Sequence, residues 1–119
     1  MNKLTNVSIK GISFELGENE INVDSFKNDN QDWDLSKIIS KTGIKKIFYT
    51  SSDQTAVDLA IIAINKFFLE YNFPKSEIDG LIFVTQSPDY ALPTSACLIQ
   101  DRSNLPKKMI AFDINLGCS

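Results

Sequence analysis

Apolar and polar positions alternate near the start of the chain, where Val7 and Ile9 and, beyond Gly11, Phe14 and Leu16 are separated by polar residues. A period of two is what a strand with one buried face requires, so a first strand is expected there. Residues 17–31 are polar and rich in Asn, Asp and Glu, with Ile21, Val23 and Phe26 as their anchors, which predicts a loop with one short helical turn. Asp34 stands where it can cap a short helix through Ser40, and Gly43 follows where a left-handed residue commonly ends a helix.

Lys46–Thr50 reads as a short strand, after which Ser51-Ser52-Asp53-Gln54 places Ser51 and Gln54 at capping-box spacing. A long helix is expected from Thr55 to Tyr71. Its apolar residues, among them Val57, Leu59, Ile61, Ile64, Phe67 and Phe68, spread beyond one stripe, which calls for cover on more than one side. Pro74 ends it by disfavouring helical geometry in the residue before it. Leu81-Ile82-Phe83-Val84-Thr85, bounded by Asp79-Gly80 and Ser87-Pro88, is the continuous run of a strand buried on both faces of a parallel sheet, and Met109–Leu116 is a second. Between them Pro93–Arg102 predicts a helix with Ala96, Leu98 and Ile99 on its apolar face. Strands alternating with helices imply an α/β sheet. Ligands of such sheets gather at the carboxyl ends of the strands, where residues 86–92 and Gly117-Cys118 would converge.

At 119 residues and 43% hydrophobic, the chain suits one domain over 1–119. A net charge of -3, with no basic cluster beyond Lys45-Lys46 and Lys107-Lys108, argues against broad nucleic-acid binding. No apolar run approaches the ~18 residues of a membrane span, so a soluble, cytoplasmic protein is expected. Cys97 and Cys118 form no CxxC pair and histidine is absent, which removes the commonest zinc-ligand sets and the commonest base for a cysteine nucleophile. The scattered glycines form no phosphate loop, and there is no internal repeat.

Cys118 is the one thiol whose placement suggests chemistry, because it follows an apolar strand. A helix starting at such a position favours the thiolate, lowering the thiol pKa from about 8.5 to roughly 3.5–7.5. No such helix lies within these residues, so the expectation is part of an enzyme.

Several segments, in order, resemble the amino-terminal half of the beta-ketoacyl-ACP synthase III family, a branch of the thiolase-like condensing enzymes. They are Lys41-Thr42-Gly43-Ile44-Lys45, Gln54-Thr55-Ala56, Ile78-Asp79-Gly80-Leu81-Ile82, Leu92-Pro93-Thr94-Ser95-Ala96-Cys97-Leu98-Ile99-Gln100, and Ala111-Phe112-Asp113-Ile114-Asn115-Leu116-Gly117-Cys118-Ser119. The resemblance implies the amino-terminal half of a thiolase-like fold, an α/β architecture with a mixed, mostly parallel sheet and flanking helices. It further implies a 3-oxoacyl-ACP synthase III-type enzyme of fatty-acid biosynthesis: Cys118 accepts an acyl group from acyl-CoA, and malonyl-ACP then decarboxylates and condenses with the thioester. Acyl-CoA and acyl carrier protein are thus the expected partners, with CoA a substrate rather than a cofactor, and a homodimer is expected. The family's His and Asn lie in its other half, so these residues by themselves are expected to be inactive.

Three further positions follow from the resemblance. Lys41 stands where the family usually carries a basic residue near the CoA phosphates, or it is a solvated lysine. Gln86 matches a pocket-lining polar position, or it is strand-end polarity. Leu92 matches a position that reaches across the dimer interface to the partner's acyl pocket, or it is a hydrophobic staple beside Pro93. Cys97 matches a buried, inert helix position. The family's adenine-stacking tryptophan aligns with Lys37, whereas Trp33 lies four residues earlier, on the same face of a continuous helix. That departure, and Asn115-Leu116-Gly117 in place of an alanine-rich lead-in, keep open a specialised ketosynthase-like acyltransferase of a polyketide, quinolone or glycan pathway. A non-catalytic interaction module is the reading from another class.

Overall fold

The polar stretch after Leu16 builds a strand as well as its expected helical turn. In the computed structural model, which describes residues 6–28 and 30–116, strand β1 (Asn19–Asn22) pairs antiparallel with β2 (Lys46–Tyr49), Ile21 facing Ile47. A 3-10 turn over Val23–Lys27 follows, opened by the Asn22 side chain, which accepts from the Asp24 N–H at 3.2 Å. Helix α1 (Leu35–Thr42) starts at Asp34, whose carboxylate accepts from the Lys37 N–H at 3.1 Å and the Ser36 hydroxyl at 2.7 Å. Gly43 closes it at φ 72°, in the left-handed region where glycine has no Cβ to strain. These elements belong to one compact unit, Leu16–Gln54, whose buried apolar residues are Val23 and Leu35.

A second unit joins the described residues up to Glu15 to those from Thr55 onward. Helix α2 (Ala56–Tyr71) opens with a capping box formed by Thr55 and Asp58 rather than by Ser51 and Gln54. Thr55 Oγ1 accepts from the Asp58 N–H at 3.3 Å, while Asp58 Oδ2 accepts from the Thr55 N–H at 2.9 Å. The box has to straddle the N-cap and the third helical residue; the Ser51 carbonyl instead accepts from Gln54 N–H in the preceding turn. Strand β3 (Gly80–Val84), helix α3 (Ser95–Arg102) and strand β4 (Ile110–Ile114) complete the unit. β3 and β4 are parallel, in register from Gly80 opposite Ile110 to Val84 opposite Ile114. Val57, Ala96, Ile99, Leu105 and Met109 form the buried apolar core, with α3 packed on both strands and against α2.

Two expectations are corrected here. β3 is covered on one face among the described residues: Leu81 and Phe83 are half-buried, whereas Ile82 and Val84, with Ile110 and Phe112 of β4, are exposed. Parallel pairing needs cover on both faces, and α3, itself packed against α2, supplies one. Residues 7–16 form no strand, although their alternation suits one. At Ile12 the backbone bonds to a side chain in place of a ladder: the Tyr71 hydroxyl accepts from Ile12 N–H at 3.4 Å and donates to the Ile12 carbonyl at 3.2 Å. Gly11 lies so close to α2 that a Cβ there would come within 2.8 Å of the Phe67 and Tyr71 rings. Glu15 pairs with Lys66 of the same helix.

Candidate active site

Parallel pairing sends the carboxyl ends of β3 and β4 to the same edge of the ladder. There the Thr85 N–H donates to the Ile114 carbonyl at 3.1 Å, so Gln86 leaves β3 and Asn115 leaves β4 from one end. Gln86 and Leu92 flank the loop from β3 to α3, both exposed, Leu92 at 83%. Midway along it Asp89 Oδ2 accepts from the Thr55 hydroxyl at 3.0 Å, tying the loop to the N-cap of α2. Cys118, four residues beyond β4 in sequence, lies outside the described residues.

The start of α3 is held by a carboxylate from another element. Asp113 Oδ2 accepts from the Ser95 N–H and Asp113 Oδ1 from the Ala96 N–H, each at 2.7 Å. These are two of the amides that every helix start leaves without a partner inside the helix. The N-cap itself, Thr94, makes no side-chain cap bond, and its hydroxyl donates to Cys97 Sγ at 3.3 Å. Sequence reasoning assigned Asp113 no role. The signal was a carboxylate inside the apolar run Ala111-Phe112-Asp113-Ile114, a position that seldom takes charge without a partner.

Cys97 is exposed rather than buried. The buried face of α3 carries Ser95, Ala96 and Ile99, and Cys97 lies off it. At the far end of the same helix, Arg102 Nη2 pairs with Asp58 Oδ1 at 2.6 Å. The Thr55 N–H, then the Arg102 guanidinium, hold the Asp58 carboxyl below its ordinary range despite some desolvation. No group of three or more His, Cys, Asp or Glu residues is placed to hold a metal among the described residues, nor is any helix there long and apolar enough to cross a membrane.

In the other unit Lys41 occupies the last turn of α1, exposed. Trp33 does not share a helical face with Lys37, because Asp34 is the N-cap and Trp33 precedes the helix. The indole, half exposed, lines an open hollow with Asp24, Lys27, Gln31 and Ser36 on one side. On its other side it borders an apolar cavity of about 170 Å³ with Val23, Phe26, Ile38 and Ile47. The Ser36 hydroxyl, then the Lys37 N–H, lower the Asp34 carboxyl pKa.

Known proteins resemble the chain over most of its length. A protein of Campylobacter jejuni provisionally named 3-oxoacyl-[acyl-carrier-protein] synthase 3 is 31% identical over 93% of this chain and 32% of its own. Beta-ketoacyl-[acyl-carrier-protein] synthase III 2 of Bacillus anthracis is 34% identical over 76% of this chain and 26% of its own. A crystal structure of a 3-oxoacyl-(acyl-carrier-protein) synthase III superposes with a TM-score of 0.81 at 39% identity, covering 94% of this chain and 33% of that one. The chain thus spans between about a quarter and a third of the length of the curated relatives it matches. No protein-family model matches it. The fold is thiolase-like, with a parallel ladder and flanking helices.

Proposed function

Since the chain belongs to the beta-ketoacyl-ACP synthase III family and matches its amino-terminal part, we propose that it supplies the acyl-accepting cysteine of a condensing enzyme. Cys118 Sγ attacks the thioester carbonyl of an acyl primer, the carbon–sulfur bond to the primer's thiol breaks, and the departing thiolate takes up a proton. Malonyl-ACP then loses carbon dioxide, the resulting carbanion attacks the cysteine thioester carbonyl, and the carbon–sulfur bond to Cys118 breaks, releasing a 3-oxoacyl-ACP and returning the Cys118 thiolate. The Cys118 backbone N–H contributes to the hole holding the thioester oxygen, a task for preorganised donors rather than charge. Gln86 lines the acyl pocket, Leu92 reaches across the dimer interface to the acyl pocket of the second copy, and Lys41 meets the phosphates of CoA. The protein works in fatty-acid biosynthesis in the cytoplasm as a homodimer, and residues 1–119 act as one part of the catalytic body.

The observation that supports this reading is the parallel ladder, which sends the loop carrying Gln86 and the strand leading to Cys118 out of one edge. Replacing Cys118 by Ser in the full-length protein tests it. Condensation of an acyl primer with malonyl-ACP is expected to fall to background; full turnover with serine would overturn the assignment.

A second reading takes the primer from a carrier protein in a specialised pathway. Trp33 favours it, standing before α1 rather than on the helical face that carries Lys37. Faster acylation of Cys118 by acyl carrier protein thioesters than by acyl-CoA would select it.

A further inference from the structure

We propose that Asp113 is a positioning residue, joining the β3–α3 loop to the strand that leads to Cys118. The inference rests on the reading of Cys118 as the acyl acceptor, but its geometry stands independently. Adjacent residues of β4 hold the two ends of the loop: the Ile114 carbonyl takes the Thr85 N–H at 3.1 Å, and the Asp113 carboxylate takes the Ser95 and Ala96 amides at 2.7 Å each.

Two short bonds to two oxygens of one planar carboxylate fix orientation as well as distance. The charge also faces the positive end of the α3 dipole. Because Thr94 leaves its cap role unfilled, the first turn of α3 takes its side-chain cap from β4 rather than from its own N-cap. Leu92, three residues before Ser95, therefore inherits its place from a side chain on the strand that continues toward Cys118. The loop is held at Thr85, at Asp89 and at Ser95, and the hold at Ser95, made by Asp113, is the one that ties the helix start to the strand leading to Cys118.

The test compares full-length wild type with Asp113→Asn, which keeps the volume but presents an amide to one of the two donors, and Asp113→Glu, which keeps both oxygens and the charge. In the Asn variant, exchange of the Ser95 and Ala96 amides is expected to rise about tenfold or more, while the β3 and β4 amides hold their protection. A side chain that merely stabilises the fold would accelerate all of them together. Acylation of Cys118 at saturating primer should slow about 10- to 100-fold, as small misplacements near a reacting centre do, with less than about threefold change in half-saturating primer. Asp113→Glu should recover part of both effects, and it carries the measurement should the Asn variant not fold. Unchanged Ser95 and Ala96 exchange, or a loss confined to primer binding, overturns the proposal. A wild type that takes no acyl group would sink the Cys118 reading, while the exchange pattern still decides the role of Asp113.

Discussion

The two ladders among the described residues are held in different ways. β1 and β2 pair over four residues each, and every residue of β2 is exposed. What fastens them is local: a close Lys46–Glu20 pair at 2.7 Å on the surface, and Val23 and Leu35 buried beyond the strands. β3 and β4 instead rest one face on α3, which packs in turn against α2, with Ile99 fully buried beneath them, and β4 sends a carboxylate into the start of α3. Parallel strands cannot be joined by a tight turn, so their crossover brings a helix that the core can use. The antiparallel pair carries little of the burial, and the parallel pair organises the candidate site.

Substitutions should grade along that difference. Ile99→Ala empties a fully buried position and should cost about 2–5 kcal/mol of unfolding free energy, read by urea denaturation. Removing the reciprocal cap with Thr55→Ala should cost about 0.5–2 kcal/mol and also release Asp89 of the β3–α3 loop. Acid should act on the same network. The folded Asp58 pKa lies below its unfolded value, so its contribution is complete above about pH 4 and disappears as the pH falls through the folded value. Asp58→Asn should therefore flatten the acid limb of a stability-against-pH curve. Lys46→Ala, at a pair half open to solvent, should cost under about 1 kcal/mol, and less at high salt. A loss at Lys46 matching that at Ile99 would erase the contrast between the ladders.

Helices were more legible in the sequence than strands. α1, α2 and α3 lie where caps and periodicity put them, because Asp34, Gly43 and Pro74 act on their immediate neighbours. The capping box moved from Ser51 to Thr55, since Ser, Thr and Asp crowd the approach to α2 and spacing alone does not say which residue is the N-cap. β1 went unread because Asn-Glu-Ile-Asn has little strand character until Lys46–Tyr49 supplies a partner. Residues 7–16 failed in the opposite direction: alternation describes side chains, whereas a ladder needs another backbone, and the Tyr71 hydroxyl took those hydrogen bonds at Ile12.

The candidate site divides in the same way. Gln86 and Leu92 were placed by the loop they bound, and β3 and β4 emerged as parallel strands because their apolar runs have that composition. Asp113 escaped because its partners, the Ser95 and Ala96 amides, are backbone groups 18 and 17 residues away that leave no mark in side-chain patterning. Cys97 was read as buried from its family position, yet it falls off the face that α3 turns to the core.

The most direct test of the central claim is to incubate the full-length protein with an acyl-CoA and an acyl carrier protein thioester in separate reactions and map the bound acyl group by peptide mass spectrometry. One acyl group on Cys118, released by hydroxylamine, and none on the exposed Cys97 is the expected result. Acyl groups on Cys97, or an unmodified Cys118 with both donors, would contradict it.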